Sequence, residues 1–335
     1  MTQPRAWQQL AEVGSLGAIR AMALWYRVVG RRASAALLAP VAAYFTFRHG
    51  RVRDASRSYL ETLARAPGGA EALGHAPGWR DVYRHVLEFA VQLFDRMVSW
   101  GDSFDRMQLE KESSRALLDL ARTGQGGILV GAHLGSFDLL RLVAAQHEVR
   151  VNVLMYTAHA DRINAFFERL DPRSRLRVLP IDPSSANTAL AVRHCVERGE
   201  FVGILADRLP PGGGGRSAPV SFLGRAAAFP TTAFEIAAVL GCPLLLALCV
   251  RLGDARYQSV AEVLYEGGRV PRAERAALTR TLLERYVARL EAWCLRAPYQ
   301  WFNFYDFWQA AEALPAEVSA PASSSPSVPA SPRRT

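Results

Sequence analysis

Lysine is nearly absent from this chain. Lys111 is the only one, so the positive charge, 40 Lys+Arg against 31 Asp+Glu for a net +9, is almost all arginine. Arginine grips phosphate and carboxylate with a planar two-pronged fork. Such a charge suits an anionic membrane surface, an acidic carrier protein or nucleic acid. A genomic bias toward arginine is the competing source of the lysine deficit. Nucleic acid is excluded by further absences: there is no zinc-ligand spacing, no RNA-binding motif and no arginine-rich helix. Cysteine is also scarce. Cys195, Cys242, Cys249 and Cys294 form no Cys-x-x-Cys pair. They lie in apolar or helical surroundings and are expected as buried free thiols in a reducing compartment, neither metal ligands nor nucleophiles. A phosphate loop is missing as well. The run from Gly212 to Gly215 lacks the Gly-x4-Gly-Lys-Ser pattern and leads into no helix, so a mobile flap is expected there.

Long apolar runs are absent too. Ala33 to Phe47 is apolar apart from Ser34 and Thr46, but it is shorter than the roughly 20 residues a bilayer requires. Pro40 is expected to break it. Arginines at 20, 27, 31 and 32 interrupt the first apolar material, and no secretory signal is visible. Leu16, Ile19, Met22, Ala23 and Tyr26 form an apolar helical stripe with Trp25 at its border and arginines opposite. The stripe suits a helix lying in the plane of a membrane; a helix packed on the domain is the plainer alternative. Residues 1–50 are therefore expected to be a helical membrane-associating arm. From about Pro315 the chain is mostly Ala, Ser and Pro, and residues 313–335 are expected to be a disordered tail.

Residues 51–312 carry the pattern of one α/β domain. Helices are expected over Ser56 to Ala64, Trp79 to Trp100 and Ser113 to Thr123, with a loop at 67–78. From Gly126, strands and helices alternate, which predicts a central, mostly parallel mixed sheet flanked by helices. Strands are expected at Ile128 to Val130, Val149 to Tyr156, Leu176 to Ile181, Phe201 to Ala206 and Val220 to Leu223. Helices are expected at Ile163 to Leu170, Ala186 to Arg198 and Pro230 to Leu240, with Pro230 in the first turn. Leu244 to Leu252 and Tyr257 to Tyr265 read as a hairpin, and Pro271 to Arg296 as a long helix. The aromatic run from Tyr299 to Trp308 reads as core, with a membrane contact or an acyl-chain pocket as alternatives.

The segment Gly126-Gly-Ile-Leu-Val-Gly-Ala-His133-Leu-Gly-Ser-Phe-Asp138 concentrates the chemistry. His133 falls at the carboxyl end of a buried strand, where open α/β sheets place their ligands. Asp138 falls in the first turn of the following helix. A carboxylate on one ring nitrogen fixes the imidazole tautomer and leaves the other nitrogen as a base. Such a pair can take a proton from an alcohol or amine attacking an acyl group. A hydrogen-bonded structural histidine and an aspartate that favours the helix dipole are the plainer alternatives. Ser136 is a rival nucleophile, but Leu-Gly-Ser-Phe-Asp is not a Gly-x-Ser-x-Gly elbow, and a helix-capping hydroxyl suits it better.

The His-x4-Asp element, followed in order by Phe201-Val-Gly-Ile-Leu-Ala-Asp207-Arg208, Val220-Ser-Phe-Leu-Gly-Arg225-Ala-Ala-Ala-Phe-Pro-Thr and Gly241-Cys-Pro-Leu-Leu, resembles the glycerolipid and lipid A acyltransferase superfamily. Within it, the chain looks most like the branch that adds late acyl chains to lipid A and related glycolipids. The resemblance spans roughly residues 85 to 307. Many lipid A enzymes have Glu where Asp138 stands, and either carboxylate can orient an imidazole. The resemblance implies transfer of a fatty acyl group from acyl carrier protein or coenzyme A to a hydroxyl or amine of a lipid acceptor, at the cytoplasmic face of the bacterial inner membrane. No metal or held cofactor is required. His133 is the expected base and Asp138 its orienting partner. Arg208 matches an arginine that approaches the reacting group and can stabilise an oxyanion; a salt bridge to Asp207 is the alternative. Ser136, Asp207 and Arg225 are the expected substrate contacts, although a loop arginine such as Arg225 can equally be solvated. A Ser136 hydrolase and a non-catalytic membrane- or anion-binding protein are the rival functions.

Overall fold

The computed structural model describes residues 25, 28–99, 108–110, 114–137, 139–140, 144, 147–155, 176–180, 186–210, 215–254 and 256–309. The apolar stripe expected at 16–26, the helix at 163–170, most of the glycine run at 212–215, the tail and Asp138 lie outside the described residues, Trp25 alone excepted.

Helices α1 (Arg31–Arg48), α2 (Gly50–Arg65), α3 (Gly69–Leu73) and α4 (Trp79–Ser99) precede the sheet. Helix α2 buries Val52, Ala55, Ser56, Tyr59, Leu60 and Leu63, the three-four spacing of one helical face. Two expectations are corrected here. Pro40 does not break α1, which runs through it. A proline in a helix removes one backbone donor. Packing of Ala42 with Val52 and Val86, and the Tyr83 hydroxyl donated to the Ala39 carbonyl at 3.2 Å, tie the helix to its neighbours beside the proline. The loop at 67–78 also contains one short helix, α3.

Strand β1 (Gln108–Glu110), helix α5 (Arg115–Arg122) and strands β2 (Gly127–Gly131), β3 (Val151–Met155) and β4 (Leu176–Pro180) follow. Then come α6 (Ala186–Glu197), β5 (Phe201–Leu205), β6 (Ser217–Phe222), β7 (Arg225–Pro230), α7 (Thr232–Leu240), β8 (Leu244–Gly253), β9 (Arg256–Tyr265) and α8 (Arg275–Arg296). The main sheet has the order β1-β9-β8-β2-β5-β3-β4. Every neighbouring pair is parallel except β8 with β9. The α/β class and the mostly parallel mixed sheet expected from the alternation are what the fold shows.

Strand β2 lies mid-sheet and all five of its residues are buried. Its side chains alternate between two cores, as the pleat requires. Ile128 and Val130 join the larger core with α2, α7, α8 and the aromatic run, while Leu129 joins Leu117, Phe201 and Leu245 on the other face. The sequence pattern missed β1 and β7. Pro230 ends β7 rather than opening α7, which starts at Thr232. A strand end needs no donor from proline, and the apolar run Ala226 to Phe229 reads equally as helix or strand. The last helix opens with a 3₁₀ turn at Arg272–Glu274 before α8. The four cysteines are buried and free. Burial pushes the Cys242 thiol up to about 12 and raises the other three, which makes them poor nucleophiles.

His85 on α4 is buried between the helical layer and the aromatic run. Its Nε2 bonds the Trp301 carbonyl at 2.9 Å and its Nδ1 bonds Ser56 Oγ at 2.8 Å. A carbonyl only accepts, so Nε2 carries the hydrogen, and the lowered pKa keeps the ring neutral at pH 7. Burial lowers its pKa from 6.5 to about 4, against the opposing pull of the Trp301 carbonyl. The unfolded chain therefore takes the proton first as pH falls. The stabilisation is complete above the ordinary histidine value and is lost as pH drops toward 4. This single group is expected to cost about 2 kcal/mol of stability between pH 7.5 and pH 5. Urea titrations of wild type and His85→Gln at both pH values check this. The variant is expected to lose that part of the pH dependence, and an unchanged dependence would contradict the assignment.

Candidate active site

The site forms at the carboxyl ends of β2 and β5, which pair in parallel with Gly131 opposite Leu205. Each strand passes through one further residue, Ala132 or Ala206, and then delivers a polar side chain. His133 leaves β2 and Asp207 leaves β5. They meet directly, with His133 Nδ1 2.8 Å from Asp207 Oδ1. The other oxygen, Oδ2, accepts from the His133 backbone N–H at 2.9 Å, from Trp301 Nε1 at 3.0 Å and from Asn303 Nδ2 at 3.2 Å. Asp207 is fully buried, and the His133 side chain keeps 29% of its exposure. Burial alone would raise the Asp207 pKa. The charges of His133 and Arg208 and the donated bonds instead hold it well below the usual carboxylate range. An ionised carboxylate only accepts, so Nδ1 carries the proton and Nε2 is the basic nitrogen.

The turn after His133 is pinned on both sides. Gly135 N donates to the Gln300 carbonyl at 2.8 Å, Ser136 N to the Cys249 carbonyl at 2.7 Å, and Phe302 N to the His133 carbonyl at 2.7 Å. Gly135 has φ +71°, and a Cβ there would stand 2.1 Å from the Cys249 carbonyl oxygen. Glycine is required by both facts. The Phe137 ring lies over Gly131 and Gly203, where any Cβ would come within 3.0 Å of it. The Gly-Ser-Phe between His133 and Asp138 thus seats the start of the next helix on a glycine platform of the sheet.

Segment 300–303 closes the site from the other side. Gln300 bonds the β8 backbone at Arg251 through both ends of its amide, at 2.7 and 2.9 Å. Trp301 is fully buried among Tyr59, Phe222 and Phe307. Core packing, the expected role of the aromatic run, is seen for Trp301, Phe307 and Trp308. The part Trp301 and Asn303 take in gripping Asp207 was missed from the sequence. The one available signal was an amide set among aromatics.

Of the other expected site residues, Arg208 is half-buried and joins the group. Its Nε donates to Asn303 Oδ1 at 2.5 Å and its Nη2 to the Phe302 carbonyl at 2.7 Å, and it stands 5.6 Å over the Tyr305 ring. Asp207, also an expected substrate contact, is bonded by His133, Trp301 and Asn303. Ser136 is 6% exposed, three residues beyond His133. Arg225 begins β7 on the separate β6–β7 hairpin, exposed, 4.9 Å over the Trp308 ring. Among the described residues no group of His, Cys, Asp and Glu is arranged to hold a metal ion.

No curated protein matches the chain. The family model of the bacterial lipid A biosynthesis acyltransferases matches residues 88–310, which takes in both sheet strands that carry the site and the segment that closes it. With well over half of its length matched, the chain belongs to the bacterial lipid A biosynthesis acyltransferase family.

Proposed function

We propose that this acyltransferase moves a fatty acyl group from an acyl carrier protein or coenzyme A thioester to a hydroxyl or amine of a lipid or glycolipid acceptor, with His133 as general base. The observation that carries the reading is the 2.8 Å contact between His133 Nδ1 and a buried, ionised Asp207. In this reading Nε2 takes the acceptor proton as its oxygen or nitrogen attacks the thioester carbonyl. The new bond forms, the carbonyl oxygen becomes an oxyanion, and the C–S bond then breaks. The departing thiolate recovers the proton from the imidazolium. Such base catalysis contributes about 10²- to 10⁴-fold. Asp207 orients the ring, and Asp138 is the second carboxylate proposed to stabilise the imidazolium. Arg208 donors not engaged by Asn303 and Phe302 are proposed for the oxyanion or a substrate phosphate. Ser136 and Arg225 are proposed as substrate contacts, Arg225 toward phosphate or the acidic carrier.

A membrane-facing side is supported by the surface of α1. Leu37, Val41, Tyr44, Phe45 and Phe47 are exposed along it, next to exposed Trp79 at the start of α4. Arg48, Arg51 and Arg80 are exposed at the same end. Exposed apolar patches rimmed by basic residues suit an anionic bilayer. No helix among the described residues is long and apolar enough to cross a membrane. Peripheral attachment at the cytoplasmic face of the inner membrane is the proposed location.

The reading is tested by offering the purified protein acyl carrier protein and coenzyme A thioesters with a total bacterial lipid extract. A new acylated lipid formed with one donor is the expected result. Thioester loss with no lipid product would overturn it.

A further inference from the structure

We infer that Asn303 is a positioning residue that holds Asp207 and Arg208 apart, keeping the carboxylate committed to His133 and the guanidinium off it. The inference rests on the reading of His133 as general base. Asn303 is 2% exposed and lies between the two charges. Its Nδ2 donates to Asp207 Oδ2 at 3.2 Å and its Oδ1 accepts from Arg208 Nε at 2.5 Å. The amide orientation is fixed by its partners, since a carboxylate only accepts and a guanidinium only donates. Asp207 and Arg208 are neighbours in sequence and attract one another, yet the donors of Arg208 go to Asn303 and the Phe302 carbonyl. A short side chain with a donor on one branch and an acceptor on the other is what this gap requires. Aspartate only accepts there, and alanine does neither.

The ionisable groups around the pair leave the readout clean. Tyr286 gives its hydroxyl to the Gly131 carbonyl at 2.9 Å, and burial raises its pKa well above the ordinary tyrosine value. Tyr305 and Cys294 are raised as well, first by burial and then by the Asp207 charge. His85, which bonds the Trp301 carbonyl, is held down to about 4. Tyr286, Tyr305, Cys294 and His85 therefore keep one charge state between pH 5.5 and pH 9. Asp138 lies outside the described residues and is the same residue in every variant compared.

The test is the pH dependence of kcat for acyl transfer in wild type, Asn303→Asp and Asn303→Ala. Wild-type activity is expected to fall on the acidic side, where a base is lost by protonation. Asn303→Asp sets a second carboxylate beside Asp207, stabilises the imidazolium, and is expected to move the acidic limb up by about one pH unit. Asn303→Ala opens the gap, lets Arg208 close on Asp207, and is expected to move the limb down. Both are expected to lower kcat by about 10-fold or more, with smaller changes in KM for the thioester. Variants that melt lower but keep the wild-type limb would make Asn303 a packing residue and overturn the inference. Loss of folding in both would overturn it too; if only Asn303→Asp fails to fold, Asn303→Ala decides. A wild type with no acidic limb would instead overturn the general-base reading, which separates the two failures.

Discussion

Asp207→Asn is expected to lower the rate of acyl transfer by about 10³- to 10⁴-fold in a protein that still folds. The substitution is isosteric, but the site does not treat the two amide ends alike. The Oδ2 position faces three donors, from the His133 backbone, Trp301 and Asn303. The amide oxygen must occupy that position, because an NH₂ group there would face donors on every side. The NH₂ group is then turned toward His133 Nδ1. That nitrogen becomes an acceptor, its proton moves to Nε2, and the basic nitrogen is gone. The wrong tautomer, rather than a misplaced ring, is the cause of the loss. Circular dichroism and thermal melting check that the variant folds, and initial rates of lipid acylation check the effect. A rate within 10-fold of wild type would show that Asp207 does not set the tautomer.

Gly135→Ala is expected to be the most damaging single-methyl change near the site. Two independent costs add. A φ of +71° is strained for any residue with a Cβ, by about 1–2 kcal/mol. The new methyl would also stand 2.1 Å from the Cys249 carbonyl oxygen, which is backbone of β8 and can move only with the strand. Relief of that contact breaks the bonds Gly135 and Ser136 make to Gln300 and Cys249. A loss of about 3 kcal/mol or more is expected, seen as a fall of roughly 5 °C in Tm. Activity is expected to fall as well in the protein that remains folded, because His133 is two residues away and its carbonyl anchors Phe302. An unchanged Tm would mean that the turn is not held as the structure shows.

The sheet was legible because its strands are short, apolar and separated by helical spacing. Ile128 to Val130 and Phe201 to Ala206 could be placed within a residue of β2 and β5. Strand β7 was not legible, since a run of alanines before a proline carries no period. Short β1 carries too few residues to show one. His133, Asp207 and Arg208 were each visible as polar residues at strand ends. That His133 would take Asp207 as its Nδ1 partner was not visible, because 74 residues separate them and only the parallel pairing of β2 with β5 brings them together. Sequence distance favoured Asp138, five residues from His133. Trp301 and Asn303 were hidden for the same reason. A tryptophan in an aromatic run reads as packing, and nothing local says that its indole N–H points at a carboxylate.

In the proposed mechanism His133 removes the acceptor proton in an acyl transfer to lipid. The most direct measurement compares wild type with His133→Ala, at equal folded concentration, for appearance of acylated lipid from the donor that supports turnover. Product is expected with wild type and at least a 100-fold slower reaction with the variant, while thioester and lipid binding are retained. Equal rates of product formation by the two proteins would contradict it.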